Sequence, residues 1–235
     1  MNFTNDVTID FIANGLLCVG ASPVMCKAEQ EIEDLVRISN AVVINIGTLD
    51  EKHIMLCETA CRIANQLGRP IIFDPVGAGA SHYRTTISKK IISTYQIAIV
   101  RGNASEIMAL AGYQTTTRGV DSNDSSIEAI KSAGKIANKF NVVVVISGET
   151  DVIIDNNRIE KIIGGSDMMP KITGTGCLMT AIIAAFHAVQ ADKFTAAALA
   201  AYFYGLCGEQ AARLIDGVGS FKTKFLDCLS NYDAV

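Results

Sequence analysis

Four short stretches carry side chains and glycines whose types and spacing suit the handling of a phosphorylated ligand. Ile72-Phe73 runs into Asp74-Pro75-Val76-Gly77-Ala78-Gly79-Ala80, a carboxylate followed by a turn whose glycines let backbone approach a ligand closely; a plain βα loop is the competing reading. Ile99-Val100 leads into Arg101-Gly102-Asn103-Ala104-Ser105-Glu106, in which Asn103 and Glu106 have the spacing of a capping-box variant. Capping does not account for Arg101, because a cation at a strand end is costly unless it meets an anion. Val145-Ile146 ends in the small polar turn Ser147-Gly148-Glu149-Thr150-Asp151. Thr173-Gly174-Thr175-Gly176-Cys177 opens a long apolar helix, where unpaired N–H groups and the positive end of the helix dipole face outward together. Its two glycines let the backbone wrap a phosphate or a developing oxyanion.

These stretches need a scaffold that brings them to one edge. Helical and strand patterns alternate along most of the chain, which predicts an α/β fold with a mostly parallel sheet covered by helices on both faces. Strands are expected at 41–46, 70–74, 97–101 and 142–147, β-branched runs without polar alternation and therefore buried on both faces. Ile54, Cys57, Cys61 and Ala64, and later Ile127, Ile130, Ala133 and Ala137, recur at helical spacing and predict amphipathic crossover helices. Val152 to Asp155 and Ile159 to Ile163 predict a hairpin at the edge, turned by Asn156-Asn157-Arg158 in positive φ. From Gly174 onward the pattern is all helix. In an open parallel sheet the crevice beyond the carboxyl ends of the strands binds ligand, and all four stretches fall there.

Arg101, a helix N-terminus, and the carboxylates Asp74 and Glu106 able to hold Mg²⁺ are the parts that nucleotide-dependent phosphoryl transfer requires. The dinucleotide fingerprint fits poorly, since Gly174-x-Gly176 lacks its third glycine at Met179 and Gly77-x-Gly79 lacks it at His82. A G-x-x-x-x-G-K-[ST] loop is also missing. Among 235 residues, 49% are hydrophobic and 19% charged, a globular composition that excludes a disordered or fibrous chain and is read as a single domain over 1–235. A net charge of -4 leaves no basic field for nucleic acid. Gly174 to Ala191 is Ala-rich and reads as a core helix rather than a membrane span. Seven cysteines without a secretory leader read as reduced thiols of a cytoplasmic protein, with Cys57 and Cys61 as buried small hydrophobes.

The ordered set Ala13-Asn14-Gly15-Leu16-Leu17, Gly20-Ala21-Ser22-Pro23-Val24-Met25, Asn45-Ile46-Gly47-Thr48-Leu49, Asp74-Pro75-Val76-Gly77-Ala78-Gly79, Arg101-Gly102-Asn103-Ala104-Ser105-Glu106 and Gly174-Thr175-Gly176-Cys177 resembles the hydroxyethylthiazole kinase family. Six motifs in register over nearly the whole chain are far more specific than any one. The resemblance implies a ribokinase-like three-layer fold with a helical C-terminal region. It also implies ATP and Mg²⁺, and phosphorylation of the primary alcohol of 4-methyl-5-(2-hydroxyethyl)thiazole in thiamine synthesis or salvage. Carried over by position, it puts Asn5 and Met25 near the thiazole, with Gly47 and Gly174 shaping that pocket. Arg101 and Ser147 are then expected to contact ATP, Asp74 and Glu106 to lie near Mg²⁺ and the phosphates, and Thr175, Gly176 and Cys177 to stabilise the transferred group. Homotrimers with sites between subunits are implied as well.

Two features set further expectations. Related kinases of the superfamily usually carry an aspartate where Cys177 stands, whereas cysteine is seen within the resembled family, so a thiol occupies the position of a base; a loose transition state needs little base assistance. The chain starts almost on Thr4-Asn5, where family chains usually have a further short helix and extended segment, so part of the pocket is expected to be missing. Alternatives from the same fold are a hydroxymethylpyrimidine kinase or an ATP-dependent dehydratase of hydrated nicotinamide cofactors. A nucleotide-binding regulatory protein with weak catalysis is the alternative from another class.

Overall fold

The structure, a computed structural model, describes residues 1–113 and 123–231. The chain enters through β1 (Asn2–Phe3) and two helices, α1 (Ile9–Cys18) and α2 (Ile32–Ile38), before β2 (Val42–Asn45). Next come α3 (Glu51–Gln66), β3 (Ile71–Asp74), α4 (His82–Thr94), β4 (Ile99–Asn103), α5 (Ala104–Leu110) and α6 (Asn123–Phe140). Then β5 (Val143–Ser147), β6 (Thr150–Ile154) and β7 (Ile159–Ile163) complete the sheet, and α7 (Thr175–Val189), α8 (Lys193–Leu214) and α9 (Val218–Ser230) close the chain. The described strands pair in sequence order, β1 to β5 parallel and β6 and β7 antiparallel at one edge.

Alternate residues of the central strands go to opposite cores, which is why these strands are apolar throughout. Val42, Ile44, Ile71, Phe73, Val100 and Val144 pack under α2 to α6. Val43, Ile72, Ile99, Val143 and Val145 pack under α1 and α7 to α9. The result is three layers, with Ile54, Cys57, Cys61 and Ala64 of α3 all buried as their spacing predicts. No helix of the described residues is long and apolar enough to cross a membrane.

Several expectations are corrected. The strand expected at 97–101 is β4, which runs through Asn103, because Arg101, Gly102 and Asn103 pair with Val145, Ile146 and Ser147. On α6, Ala133 and Ala137 are buried as expected, but Ile127 is 52% exposed and Ile130 only partly buried, and Ala129 and Ile136 complete the buried face. The β6–β7 hairpin forms, but its turn owes nothing to positive φ at Asn156 or Asn157; Asn141 is the one non-glycine residue with positive φ among the described residues. The Asp155 carboxylate holds that turn by accepting from the N–H groups of Asn157 and Arg158 at 2.8 and 2.7 Å. Two elements leave no clear pattern in the sequence: β1, which is two residues long, and α4, whose buried face is only Ser88, Ile91 and Ile92.

Helices α1 and α7 approach closely at Gly15, where an added Cβ would stand 2.4 Å from Leu178 Cδ1. Alanine at 15 gains about 1 kcal/mol of helix propensity, but overpacking of a buried contact costs about 1–3 kcal/mol. Gly15→Ala is therefore expected to be less stable in urea denaturation, and Gly15→Ala combined with Leu178→Val to recover most of the loss.

Candidate active site

The carboxyl ends of β1 to β5 lie side by side, and the polar residues that follow them meet there. At the centre is Asp74, the last residue of β3, with no exposure to solvent. Its Oδ2 accepts from Thr180 Oγ1 of α7 at 2.7 Å and from Asn45 Nδ2, the adjacent position on β2, at 3.1 Å. Arg101 Nη1 lies 3.8 Å from the same oxygen, while Oδ1 has no hydrogen-bond partner. Burial pushes the Asp74 carboxyl up to about 7; the Arg101 charge works against the rise and Glu106 adds to it.

Asn45 joins this carboxylate to the chain start. Its Oδ1 accepts from Asn5 Nδ2 at 3.0 Å and from the Gly47 N–H at 2.9 Å. Asn5 Oδ1 accepts from the Thr8 hydroxyl and N–H, and its Nδ2 also donates to Cys177 Sγ at 3.3 Å. Glycine is required at 47, where a Cβ would come within 2.7 Å of Asn5 Cβ. It is required at 174 as well, because φ is +96° and a Cβ would meet Thr8 Cγ2 at 2.7 Å. Burial and the Asp74 charge raise the Cys177 thiol above its ordinary value, against opposing contributions from Asn45, Arg101 and Asn5. Cys177 therefore stays protonated at neutral pH and is poorly suited to act as a base.

On the other side of Asp74, the Arg101 guanidinium donates to Ser147 Oγ and lies close against Gly176, where a Cβ would stand 2.7 Å from Nη1. Its Nε is buried without a partner. No side chain caps α7, so its first-turn N–H groups open beside this cation. A cavity of about 640 Å³ extends from Arg101, Ser147 and Gly176 to Met169, Met179 and Tyr204. Thr175 also lines it, but its hydroxyl donates to the Met169 carbonyl at 2.9 Å and its own carbonyl accepts from Tyr204 at 2.7 Å.

Glu106 forms the predicted capping box with Asn103, and its Oε1 additionally accepts from the Gly77 N–H at 2.8 Å. Each of its oxygens thus already holds a backbone N–H. Met25 bridges Asn2 at the sheet edge and packs against the α1, α7, α8 and α9 layer. Asn45 as the hub, Thr180, Thr8 and Tyr204 are functional residues that the sequence motifs do not single out. Thr180 and Tyr204 carried no usable signal inside apolar helices, whereas Asn45, a polar residue closing an apolar strand, did.

The geometry is that of a polar crevice prepared for an anion at the carboxyl edge of a parallel sheet. The profile of the Hydroxyethylthiazole kinase family matches residues 1–234. The chain belongs to this family. A hydroxyethylthiazole kinase of Desulfotalea psychrophila is 43% identical over 230 residues, covering 98% of this chain and 84% of the relative. The hydroxyethylthiazole kinase structure from Pyrococcus horikoshii superposes with a TM-score of 0.91 at 38% identity, over 99% of this chain and 87% of that one. A ribokinase-like superfamily protein of Enterococcus faecalis shares the fold, with a TM-score of 0.68 at 13% identity over 97% and 84% of the two chains. The family's fold is thus the ribokinase-like three-layer arrangement described above.

A carboxyl whose value is raised by folding binds its proton more tightly in the folded than in the unfolded chain. Its ionisation therefore adds no cost to folding below the usual carboxylate value near 4, and the cost of charging it in place grows as pH rises through about 7. Ligand-free wild type is expected to lose stability relative to Asp74→Asn across that interval, measured as melting temperature from pH 4 to 8. Parallel curves would contradict this account of Asp74.

Proposed function

We propose that the chain transfers the γ-phosphoryl group of ATP to the primary hydroxyl of 4-methyl-5-(2-hydroxyethyl)thiazole, within thiamine synthesis or salvage, as a single kinase domain over 1–235. One observation carries the reading: Arg101, with a buried unpartnered Nε, is pressed against the uncapped N-terminus of α7. Asp74 lies 3.8 Å from Arg101 on one side, and the uncapped helix N-terminus on the other favours a further anion; a transferring phosphoryl group is such an anion.

In this reading ATP enters the cavity beside Arg101 and Ser147, and the N–H groups of the Thr175-Gly176-Cys177 turn stabilise the group in flight. Asn5, Gly47, Gly174 and Met25 form the alcohol side, where Asn5 and Cys177 orient the hydroxyl. Orientation and charge neutralisation carry the step, which is consistent with a thiol raised by burial. Asp74 fits a divalent cation, since its Oδ1 is unpartnered and its charge is disfavoured by burial. Asp74 would hold Mg²⁺, with Glu106 contributing charge through lone pairs left over from its two backbone bonds. When bound, the ion would neutralise charge on the polyphosphate.

A homotrimer with sites between subunits is part of the proposal. Supporting it are Val7, 68% exposed two residues from Asn5, and an apolar groove of about 650 Å³ lined by Leu16, Val19, Val24, Phe186 and Val189. A cytoplasmic location is supported by seven cysteines that are all free.

ADP release from ATP and Mg²⁺, measured with the hydroxyethylthiazole, the hydroxymethylpyrimidine or no acceptor, is expected to depend on the thiazole. Silence with every acceptor while nucleotide still binds would favour the regulatory reading instead. Arg101→Ala is expected to lower kcat about 10²- to 10³-fold, the loss typical of removing one transition-state donor. Cys177→Ser and Cys177→Asp are expected to stay within about tenfold of wild type, a gap that equal and complete loss in all three variants would refute. Light scattering is expected to give three times the monomer mass.

A further inference from the structure

We infer that Arg84 is a positioning residue for the alcohol side of the site, clamping the loop after β2 to the loop after β3. The inference rests on the reading that Gly47 faces the thiazole alcohol. Arg84 stands in the first turn of α4, which Ser81 caps by accepting from the Arg84 N–H. Its Nη1 donates to the Ile46 carbonyl at 2.8 Å and to the Val76 carbonyl at 2.9 Å, and its Nη2 donates to the Gly47 carbonyl. Three charged donors are thus spent on backbone of two site loops rather than on a carboxylate, and charge-assisted bonds of this kind are the strong ones.

The second half of the clamp is Gly77, whose φ of +77° and close approach leave no room for a side chain: a Cβ would stand 2.8 Å from Arg84 Cδ. Its N–H is held from the other side by Glu106 Oε1. Arg84 therefore connects the carboxylate side of the site to Gly47, and through the Gly47 N–H to Asn45 and Asn5. Release of the Gly47 carbonyl frees the peptide against which the Asn5 side chain packs. Arg84 does not line the cavity beside Arg101, so its loss should leave nucleotide binding largely intact. Lysine cannot replace it, because one ammonium lacks the planar fork that reaches both loops.

Steady-state kinetics with each substrate varied separately test this. Arg84→Lys and Arg84→Ala are expected to raise KM for the thiazole about ten- to hundredfold and to leave KM for ATP within about twofold. Millimolar guanidinium chloride is expected to restore part of the thiazole KM in Arg84→Ala, and equal sodium chloride to restore none. Should Arg84→Ala fail to fold, the KM split in Arg84→Lys decides alone. Gly47→Ala, assayed in parallel, separates the two layers of the argument. If it raises the thiazole KM while the Arg84 variants leave that KM unchanged, or shift both KM values together, the positioning role is overturned and the alcohol-pocket reading stands. If Gly47→Ala leaves the thiazole KM unchanged, the alcohol-pocket reading falls and takes the Arg84 role with it.

Discussion

A carboxyl group without access to water, at the carboxyl end of β3, the middle of the five parallel strands, is the constraint around which this structure is arranged. Asp74 is fully buried, and a buried charge persists only with hydrogen bonds and an opposite charge around it. That requirement dictates a side-chain donor at the neighbouring position of β2, met by Asn45, and a hydroxyl inside the otherwise apolar α7, met by Thr180. It also draws Arg101 of β4 inward. Three elements distant in sequence are thus bound to one oxygen, while the other oxygen remains unpartnered. The arrangement is costly for folding and useful for chemistry, because it keeps a carboxyl whose charge is disfavoured by burial ready for a cation.

The same economy governs the glycines. Gly47, Gly174 and Gly176 each stand where a Cβ would collide, with Asn5, Thr8 and Arg101 respectively. They are the positions at which a polar side chain from another element must approach backbone closely. Gly176 admits the guanidinium to the helix N-terminus, and Gly47 admits Asn5 to the Asn45 hub. Small residues here act through the neighbours they admit, which is why they occur at the turns that follow strands and begin helices.

Much of the fold was legible because its main signals are local. Apolar runs with no alternation mark β2 to β5, and the buried stripe of α3 recurs at three- and four-residue spacing. The capping box of α5 is legible in the same way, from Asn103 and Glu106 alone. Elements with weak or short signals were not legible: β1 becomes a strand only because β2 is there to pair with it, and α4 buries too little apolar surface to show a stripe. The end of β4 misled for a similar reason, since polar Arg101 and Asn103 continue a strand that only pairing with β5 sustains.

The site divides along the same line. Sequence by itself determined the residue types at the strand ends, the uncapped glycine-rich start of α7, and, through six motifs in order, the family and its activity. Which of those residues meet was decided by tertiary structure alone. Nothing local distinguishes Asn45, Thr180 or Arg84 as partners of residues some 30 to more than 100 positions away. Nothing local shows that both oxygens of Glu106 are already engaged, or that Met25 bridges Asn2 at the sheet edge. Hydrogen bonds over such separations exist only once the parallel sheet has aligned its strand ends. The physical reason is that periodicity reports what a segment buries, whereas pairing of polar groups depends on which segments the sheet sets side by side.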